Sequence, residues 1–412
     1  MAGAMMVLTL NSGSSSLKFA LYEQDDTRDA GQITPALALA GEVERIGLSG
    51  SRAHARDAAG KSLADTQVSA PDHRAAMRWL LDWLRETTRL DGLAGVGHRL
   101  AHGGPDYFAP QRITPELRDA LTRLIPLAPE HLPAELDVIA AMQAEFPALP
   151  QIACFDTAFH HDKPRVAQLF GLPWELAEQG ILRYGFHGLS YEYVLAELAR
   201  QAGDTAASGR VIIAHLGNGA SMAAIRERRS LDCTMEFSPL SGLVMSTRAG
   251  SVDPGALLYL LEERRLTARA LRELLGKRSG LLGVSGVSPD VRDLLAAEAQ
   301  GNARAALALD LFCYQARKAL GGLVAVLGGL ETLVFTGGIG EHAAAIRQRI
   351  AEGLGAFGVA LDERRNDAHA PIISLAGSRV ETRVIGANEE LMIARHTIAA
   401  LRASHATYPQ AT

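Results

Sequence analysis

"LTLNSGSSSLKFALY", residues 8–22, sets a cluster of Asn, Gly and Ser between two apolar runs and places one lysine, Lys18, just inside the second. Asn, Gly and Ser are ordinary turn residues, so the stretch reads as a hairpin. The same residues also suit a phosphate cradle, in which backbone N–H groups and hydroxyls surround an anion and the lysine adds charge. This window alone leaves both readings open.

A second stretch echoes the first. "VIIAHLGNGASMAAI", residues 211–225, again runs from an apolar strand through a Gly turn with an Asn into a second apolar strand. Aligning Leu10 with Leu216 puts Gly13 on Gly219 and Ser15 on Ser221. An offset of half the chain suggests two related domains, each offering one Gly hairpin. Two such hairpins could hold a polyphosphate from both sides. "FTGGIGE" at 335–341 supplies a third Gly turn, at the end of a strand.

The composition bounds the rest. At 412 residues the chain exceeds one typical core, so two domains are expected. A hydrophobic fraction of 48% and a charged fraction of 21% are those of a soluble globular protein. The formal charge of −5 gives no electrostatic footprint for nucleic acid or membrane. Cys154, Cys233 and Cys313 lie far apart without metal-type spacing, which reads as buried thiols in a reducing, cytoplasmic setting. The start, "MAGAMMVLTL", lacks a basic segment and a small-residue cleavage site, and so does not read as a signal peptide. Residues before Met5 read as an extension without structural meaning.

Residues 73–90 place Met77, Leu80, Leu81 and Leu84 on one face at helical spacing. "GVGHRL" and "PQIACFDTAF" read as buried strands, residues 303–327 as a long helix, and "ETLVFTGGIGE" as a strand entering a Gly turn. Strands alternate with helices, so the fold class is α/β. "AHARDAAGKS" ends like a Walker A loop, but Ala55 stands where that loop has its first glycine. "GLGAFG" at 353–358 follows a helix, and helix termination explains it better than dinucleotide binding. His98 and His102 are four apart with the cationic Arg99 between them and no Glu, which argues against zinc.

Nine blocks then resemble the acetate kinase family. They are "NSGSSSLK" (11–18), "GHRLAHGG" (97–104), "CFDTAFH" (154–160), "YGFHG" (184–188), "AHLGNGAS" (214–221), "SPLSGLVMSTRAGSVDPG" (238–255), "GVSGVSPDVRD" (283–293), "FTGGIGE" (335–341) and "NEELMIAR" (388–395). They occur in the family's order. The resemblance implies two ribonuclease-H-like (ASKHA, actin-like) domains with an active-site cleft between them. The expected domains are residues 1–156 with a returning helix in 390–412, and residues 157–389. It implies a homodimer that transfers the γ-phosphoryl group of ATP to acetate, reversibly, giving acetyl phosphate and ADP, with Mg²⁺ (Mn²⁺ as the alternative).

The chemistry explains the residue types. ATP and a carboxylate repel one another, and phosphoryl transfer is mostly positioning and charge neutralisation. Lys18, Arg99 and Arg248 supply fixed positive charge, and the planar fork of Arg suits carboxylate and phosphate oxygens. The resemblance assigns transition-state stabilisation to His187 with Arg248, acid binding to Arg99 and Ala101, and magnesium to Asn11 and Glu389. Asp156 reads as a positioning or magnesium-linked carboxylate rather than an obligate base, because a short carboxylic acid is already ionised at pH 7. The family treats it as essential. Lys18 and the run His215, Leu216, Gly217, Asn218 and Gly219 would line the ATP phosphates. Asp290, Val291 and Arg292, with Gly338, Ile339, Gly340, Glu341 and His342, would hold ribose and adenine.

Departures bear on the substrate. "LAPEHLP" at 127–133 puts Glu130 where the family often has an apolar residue lining the acyl site. Ala101 stands where Val is usual, which predicts room for propionate. Val291, His342 and Tyr191 replace other usual residues. A propionate or other short-chain carboxylate kinase is therefore the alternative. A sugar or polyol kinase would need an Asp base in a hydrogen-bonding pocket. A nucleotide switch without catalysis would keep the Gly turns but need not keep Arg99 and Arg248.

Overall fold

A computed structural model describes residues 5–13, 15–25, 33–87 and 90–407. The start before Met5 and Ser14 of the opening cluster lie outside them. The chain divides into two compact units, Met1–Ala158 with Asn388–Thr412, and Phe159–Ala387. Both are α/β.

The first unit is built on strands β1 (Met5–Ser12), β2 (Ser16–Gln24), β3 (Ala36–Glu44), β4 (Arg52–Asp57), β5 (Ser62–Gln67), β6 (Leu93–Leu100), β7 (Gln111–Arg112) and β8 (Gln151–Phe155). They form one sheet in the order β5-β4-β3-β2-β1-β6-β8-β7. The opening stretch is the β1–β2 hairpin, antiparallel, with Leu10 opposite Phe19 and Asn11 opposite Lys18. Alternation along β2 buries Leu17 and Phe19 and turns Lys18 outward. The hairpin tip is pinned by Gly13 N–H on the Ser16 carbonyl (2.8 Å) and by the ring of His73 on the Gly13 carbonyl (2.9 Å).

The second unit carries β9 (Val211–Leu216), β10 (Ala220–Arg226), β11 (Arg229–Cys233), β12 (Thr332–Thr336) and β13 (Glu381–Val384), ordered β11-β10-β9-β12-β13. Its pairing repeats that of β3-β2-β1-β6-β8. Two antiparallel neighbours lie on one side of the leading strand and two parallel ones on the other. The internal echo is thus a repeat of topology. It does not hold residue for residue. Ser15 lies in the first turn, whereas Ser221 lies in β10 opposite His215, because the second hairpin closes sooner, at Leu216 opposite Ala220.

Two glycines explain how the chain's far end joins the first unit. The helix Glu389–Thr407 lies against β1 and β6. A Cβ on Gly97 would sit 2.1 Å from Thr397 Oγ1 and 2.6 Å from Ile393 Cγ2, and one on Gly95 would sit 2.8 Å from Leu401 Cδ1. "GVG" in β6 is therefore the groove that admits this helix. Val7, Ala20, Tyr22, Ala394, Ile398 and Leu401 form the core beneath it.

Three expectations from the sequence resolve locally. "FTGGIGE" does not end in an open turn: Gly337–His342 winds into a short helix directly after β12. The Walker-like stretch is the β4–β5 hairpin, where Asp57 accepts from the N–H groups of Ala59 and Lys61 and Gly60 has φ +83°. "GLGAFG" follows the helix Ala344–Ala351, with Gly353 and Gly358 both left-handed. Cys154, Cys233 and Cys313 are buried. No helix among the described residues is long and apolar enough to cross a membrane.

Candidate active site

In the first unit the end of β6 and the end of β8 bring Arg99 and Asp156 together. Arg99 donates to one oxygen of Asp156 from Nε (3.0 Å) and from Nη2 (2.5 Å). From Nη1 it donates to Glu135 (3.2 Å), which rises from the helix Leu132–Glu145. Asp156 and Glu135 are 0% and 1% exposed, so one guanidinium is bracketed by two carboxylates out of water. Burial alone would lower the Arg99 pKa, but Asp156, Glu135 and Glu389 outweigh it and raise the value. Burial pushes the Glu135 carboxyl up to about 7, although Arg99 and the Ala101 N–H pull it down.

Ala101 follows β6, and its N–H donates to both Glu135 oxygens (3.2 and 3.1 Å). Its side chain is 1% exposed and belongs to a buried cluster with Leu121, Leu132, Ile139 and Phe155. Glu130, the carboxylate that the sequence places at the acid site, is half-buried before that helix. The carboxylate that reaches Arg99 from this segment is Glu135, one turn later.

Asn11 donates to Glu389 (3.0 Å) and to Glu390 (3.3 Å). Burial, and repulsion by Glu390, raise the Glu389 carboxyl despite Arg99 and Lys18 nearby. For Lys18 the balance runs the other way: burial lowers its pKa, but Glu390, Glu42 and Glu389 raise it further. An amide and two crowded carboxylates form a hard-oxygen set with excess negative charge, which fits a magnesium ion. A separate group of candidate metal ligands lies on β3 and β4, where Glu42, Glu44 and His54 bring ligand atoms within 4.8 Å of one another.

In the second unit the site forms around the β9–β10 turn. His187 begins the helix Gly188–Ala202 in the left-handed region, φ +61° and ψ +27°, a strained setting for a non-glycine residue. Its Nδ1 is 2.8 Å from Ser221 Oγ, and the Tyr191 hydroxyl is 2.5 Å from the same oxygen. His215 Nδ1 is 2.8 Å from Ser190 Oγ, and the rings of His187 and His215 stack. Behind them His160 is tied to Ser230 Oγ (2.8 Å) and to the Phe186 carbonyl (3.0 Å). Burial drives its pKa down to about 3.

Gly219 marks where these groups point. A Cβ there would sit 3.2 Å from His187 Nε2 and 3.4 Å from Arg248 Nη1. Arg248 Nη1 donates to the Pro239 carbonyl (3.2 Å). Its loop closes over Gly280, φ +62°, where a Cβ would meet the Arg248 and Met245 carbonyls at 2.8 and 2.1 Å. Asn218 accepts from Ser246 Oγ (3.3 Å) and Ser246 N–H (3.3 Å). Gly217 and Gly338 are neighbours, because β9 and β12 run parallel with His215 opposite Thr336.

The remaining nucleotide candidates sit at helix starts. Asp290 caps the helix Val291–Ala299 through the Arg292 N–H (2.8 Å) and pairs with the largely exposed Arg292 side chain (2.6 Å), while Val291 is buried. Ile339, Gly340 and Glu341 lie in the short helix after β12, where Glu341 accepts from the Ala387 N–H (3.1 Å). The His342 side chain is exposed.

A sequence model of the Acetokinase family matches residues 6–395. The chain belongs to the acetokinase family. An acetate kinase of Rhodopseudomonas palustris is 47% identical over 399 residues, 95% of this chain and 97% of that protein. One of Methylocella silvestris is 44% identical, over 96% and 98%. Among solved structures, the acetate kinase of Porphyromonas gingivalis superposes with a TM-score of 0.84 at 37% identity, covering 97% of this chain and 100% of that one. A propionate kinase of Francisella tularensis superposes at 0.87 with 34% identity, covering 96% and 99%. The fold is the ASKHA-like α/β fold of these acetokinases.

Against the acetokinase blocks, sequence reasoning missed Glu135, Glu390, Ser190, Ser221 as a partner of His187, and Gly280. Ser221 was visible inside "AHLGNGAS" as part of a repeat, but its hydrogen bonds depend on where Tyr191 and His187 land. Glu390 stood beside Glu389 in "NEELMIAR". Glu135 and Gly280 carry no local signal.

Proposed function

We propose that this protein is an acetate kinase, transferring the γ-phosphoryl group of ATP to acetate to give acetyl phosphate and ADP, reversibly. The observation that carries the reading is the meeting of His187 Nε2 and Arg248 Nη1 over Gly219, where the absent side chain leaves room for a phosphoryl group.

Arg99 takes the acid's carboxylate, held in orientation by Asp156. The nucleophile needs no base, since it arrives ionised. Asp156 therefore serves as the anchor of Arg99. In this reading the Tyr191 hydroxyl is the donor to Ser221, and Ser221 is the donor to His187 Nδ1. That order leaves the hydrogen of His187 on Nε2, where it donates to the oxygens of the group in flight. Arg248 neutralises the same oxygens. The backbone of 217–219 and Lys18 address the remaining phosphates, and residues 290–292 and 338–342 the nucleoside. Asn11 and Glu389 would hold Mg²⁺, which when bound supplies positive charge to the β- and γ-phosphate oxygens.

The reading includes a cytoplasmic homodimer. The helix Pro254–Glu262 supports the dimer: it has no buried residue yet exposes Leu258 and Tyr259, an apolar face suited to a second copy. Sedimentation velocity on the purified protein checks it.

Propionate is the second reading, favoured by Ala101. One assay serves both: hydroxylamine trapping of acyl phosphate with ATP, Mg²⁺ and acetate, propionate or butyrate in parallel. Trapped product with acetate supports the first reading, and a propionate rate above acetate supports the second. No product with any acid sinks both.

A further inference from the structure

The bracketed guanidinium of Arg99 poses an electrostatic problem for any acid that binds there. With Asp156 and Glu135 both ionised, the three side chains carry a net charge of −1, and Glu389 acts on Arg99 as well. A substrate carboxylate would approach a buried cluster of its own sign. Asp156 receives two donors from Arg99, the stronger hold. Glu135 receives one, at 3.2 Å.

We propose that Glu135 is a positioning residue that couples acid binding to the uptake of one proton: the substrate's carboxylate docks on Arg99 when Glu135 is protonated. This rests on the acetate kinase reading above and deepens it. The proton comes from solvent and stays on a Glu135 oxygen. Free enzyme, one proton and one carboxylate thus give a complex in which Arg99 is balanced by Asp156 and faces the acid without a second buried anion. No covalent bond changes.

Three observations support this assignment. Glu135 is 1% exposed, so water does not screen its charge. Its two oxygens already accept from the Ala101 N–H and Arg99 Nη1, and a protonated carboxyl keeps a carbonyl oxygen for them. Burial, the dominant influence, brings its pKa to about 7, with Asp156 raising it further and Arg99 and the Ala101 N–H lowering it. The charged groups that face it are Arg99 from β6 and Asp156 from the end of β8. On its own helix its N–H bonds to the carbonyl of the titratable residue His131.

The test is the KM for acetate and the KM for ATP, measured from pH 6 to 9 on the full-length protein and on Glu135→Gln. Gln keeps the size and an accepting oxygen but never carries a charge. In the unmodified protein the KM for acetate should rise above about pH 7, approaching tenfold per pH unit, while the KM for ATP should not share that rise. In Glu135→Gln the acetate KM should be flat and, at pH 8.5, about thirtyfold lower than in the unmodified protein. An acetate KM constant from pH 6 to 9 in the unmodified protein overturns the coupling, and does so even if the variant fails to fold. A rise that survives in folded Glu135→Gln assigns the proton elsewhere and overturns it too. Acyl phosphate trapped under a flat KM profile would sink this inference alone, whereas no acyl phosphate at any pH would sink the kinase reading itself.

Discussion

The imidazole rings of His187 and His215 stack 4.2 Å apart, inclined by 27°. Each is tethered at Nδ1 by a serine from a different element, Ser221 of β10 and Ser190 of the helix that His187 begins. Stack and tethers orient both rings and so aim both Nε2 atoms.

Tyr191→Phe removes the hydroxyl that meets Ser221, the hydrogen-bond partner of His187 Nδ1. One neutral hydrogen bond is worth about 0.5–1.5 kcal/mol. The kcat should therefore fall roughly two- to tenfold with little change in the KM for ATP. An unchanged kcat in a variant that melts like the parent would detach Tyr191 from the chemistry.

Arg248→Ala and Arg99→Ala should each lower kcat/KM by about 10²-fold or more, the usual loss when one preorganised donor is removed from a water-poor site. Arg99→Lys should be impaired as well, because an ammonium cannot reach Asp156 and Glu135 in the geometry of the fork. Steady-state kinetics near those of the parent would take these residues out of the site.

Glu389→Ala should raise the Mg²⁺ concentration needed for half-maximal rate more than it raises the KM for the acid. A magnesium titration at saturating ATP and acetate measures this. If the titration curve does not move, Glu389 is an ordinary helix-start residue.

Gly97→Ala drives a methyl group into Thr397 and Ile393. Overpacking of this kind costs about 1–3 kcal/mol. The melting temperature should drop, and Thr397→Ala on the same background should restore part of the loss. Equal stability of Gly97→Ala and parent would mean that the helix is not seated in that groove.

Stability should also depend on pH through Glu135. Its folded value of about 7 lies above the ordinary 4.5, so the folded chain holds this proton over a range where the unfolded chain has released it. The stabilisation is complete below about 4.5 and is lost as pH rises through about 7. Urea unfolding at pH 5 and pH 8 should show Glu135→Gln gaining on the parent at the higher pH. A gap that is the same at both values contradicts the shift.

Much of this was written in the sequence, for identifiable reasons. Lys18, Arg99, His187 and Arg248 each stand inside a Gly- or Ser-rich block, where a charged or titratable residue beside a turn has few structural uses, and Asp156 stands at the tip of an apolar strand. The strands were legible because β8, β9 and β12 are nearly continuous apolar runs. What escaped was set by distant partners. Glu135 looks like any acidic residue in the first turn of a helix, and only the packing of that helix on β6 sets Arg99 before it. Gly337 to His342 reads as a flexible turn by composition, yet packing on β9 winds it into a helix. Gly280 is invisible for the same reason, since what forbids its side chain is the Arg248 loop, more than thirty positions earlier in the chain.

The helix Glu389–Thr407 has a consequence for how the protein is made. On the ribosome, β1, β2 and β6 emerge nearly three hundred residues before the helix that covers Val7, Ala20 and Tyr22. At about 5–20 residues per second, that apolar face waits on the order of tens of seconds for its cover. The nascent N-terminal sheet is therefore a natural client for a chaperone. A chain that stops short of residue 389 leaves the ribosome with that face bare, and it also lacks the carboxylate that pairs with Asn11. An incomplete chain thus keeps a bare apolar face and loses the Asn11 partner through the same missing segment.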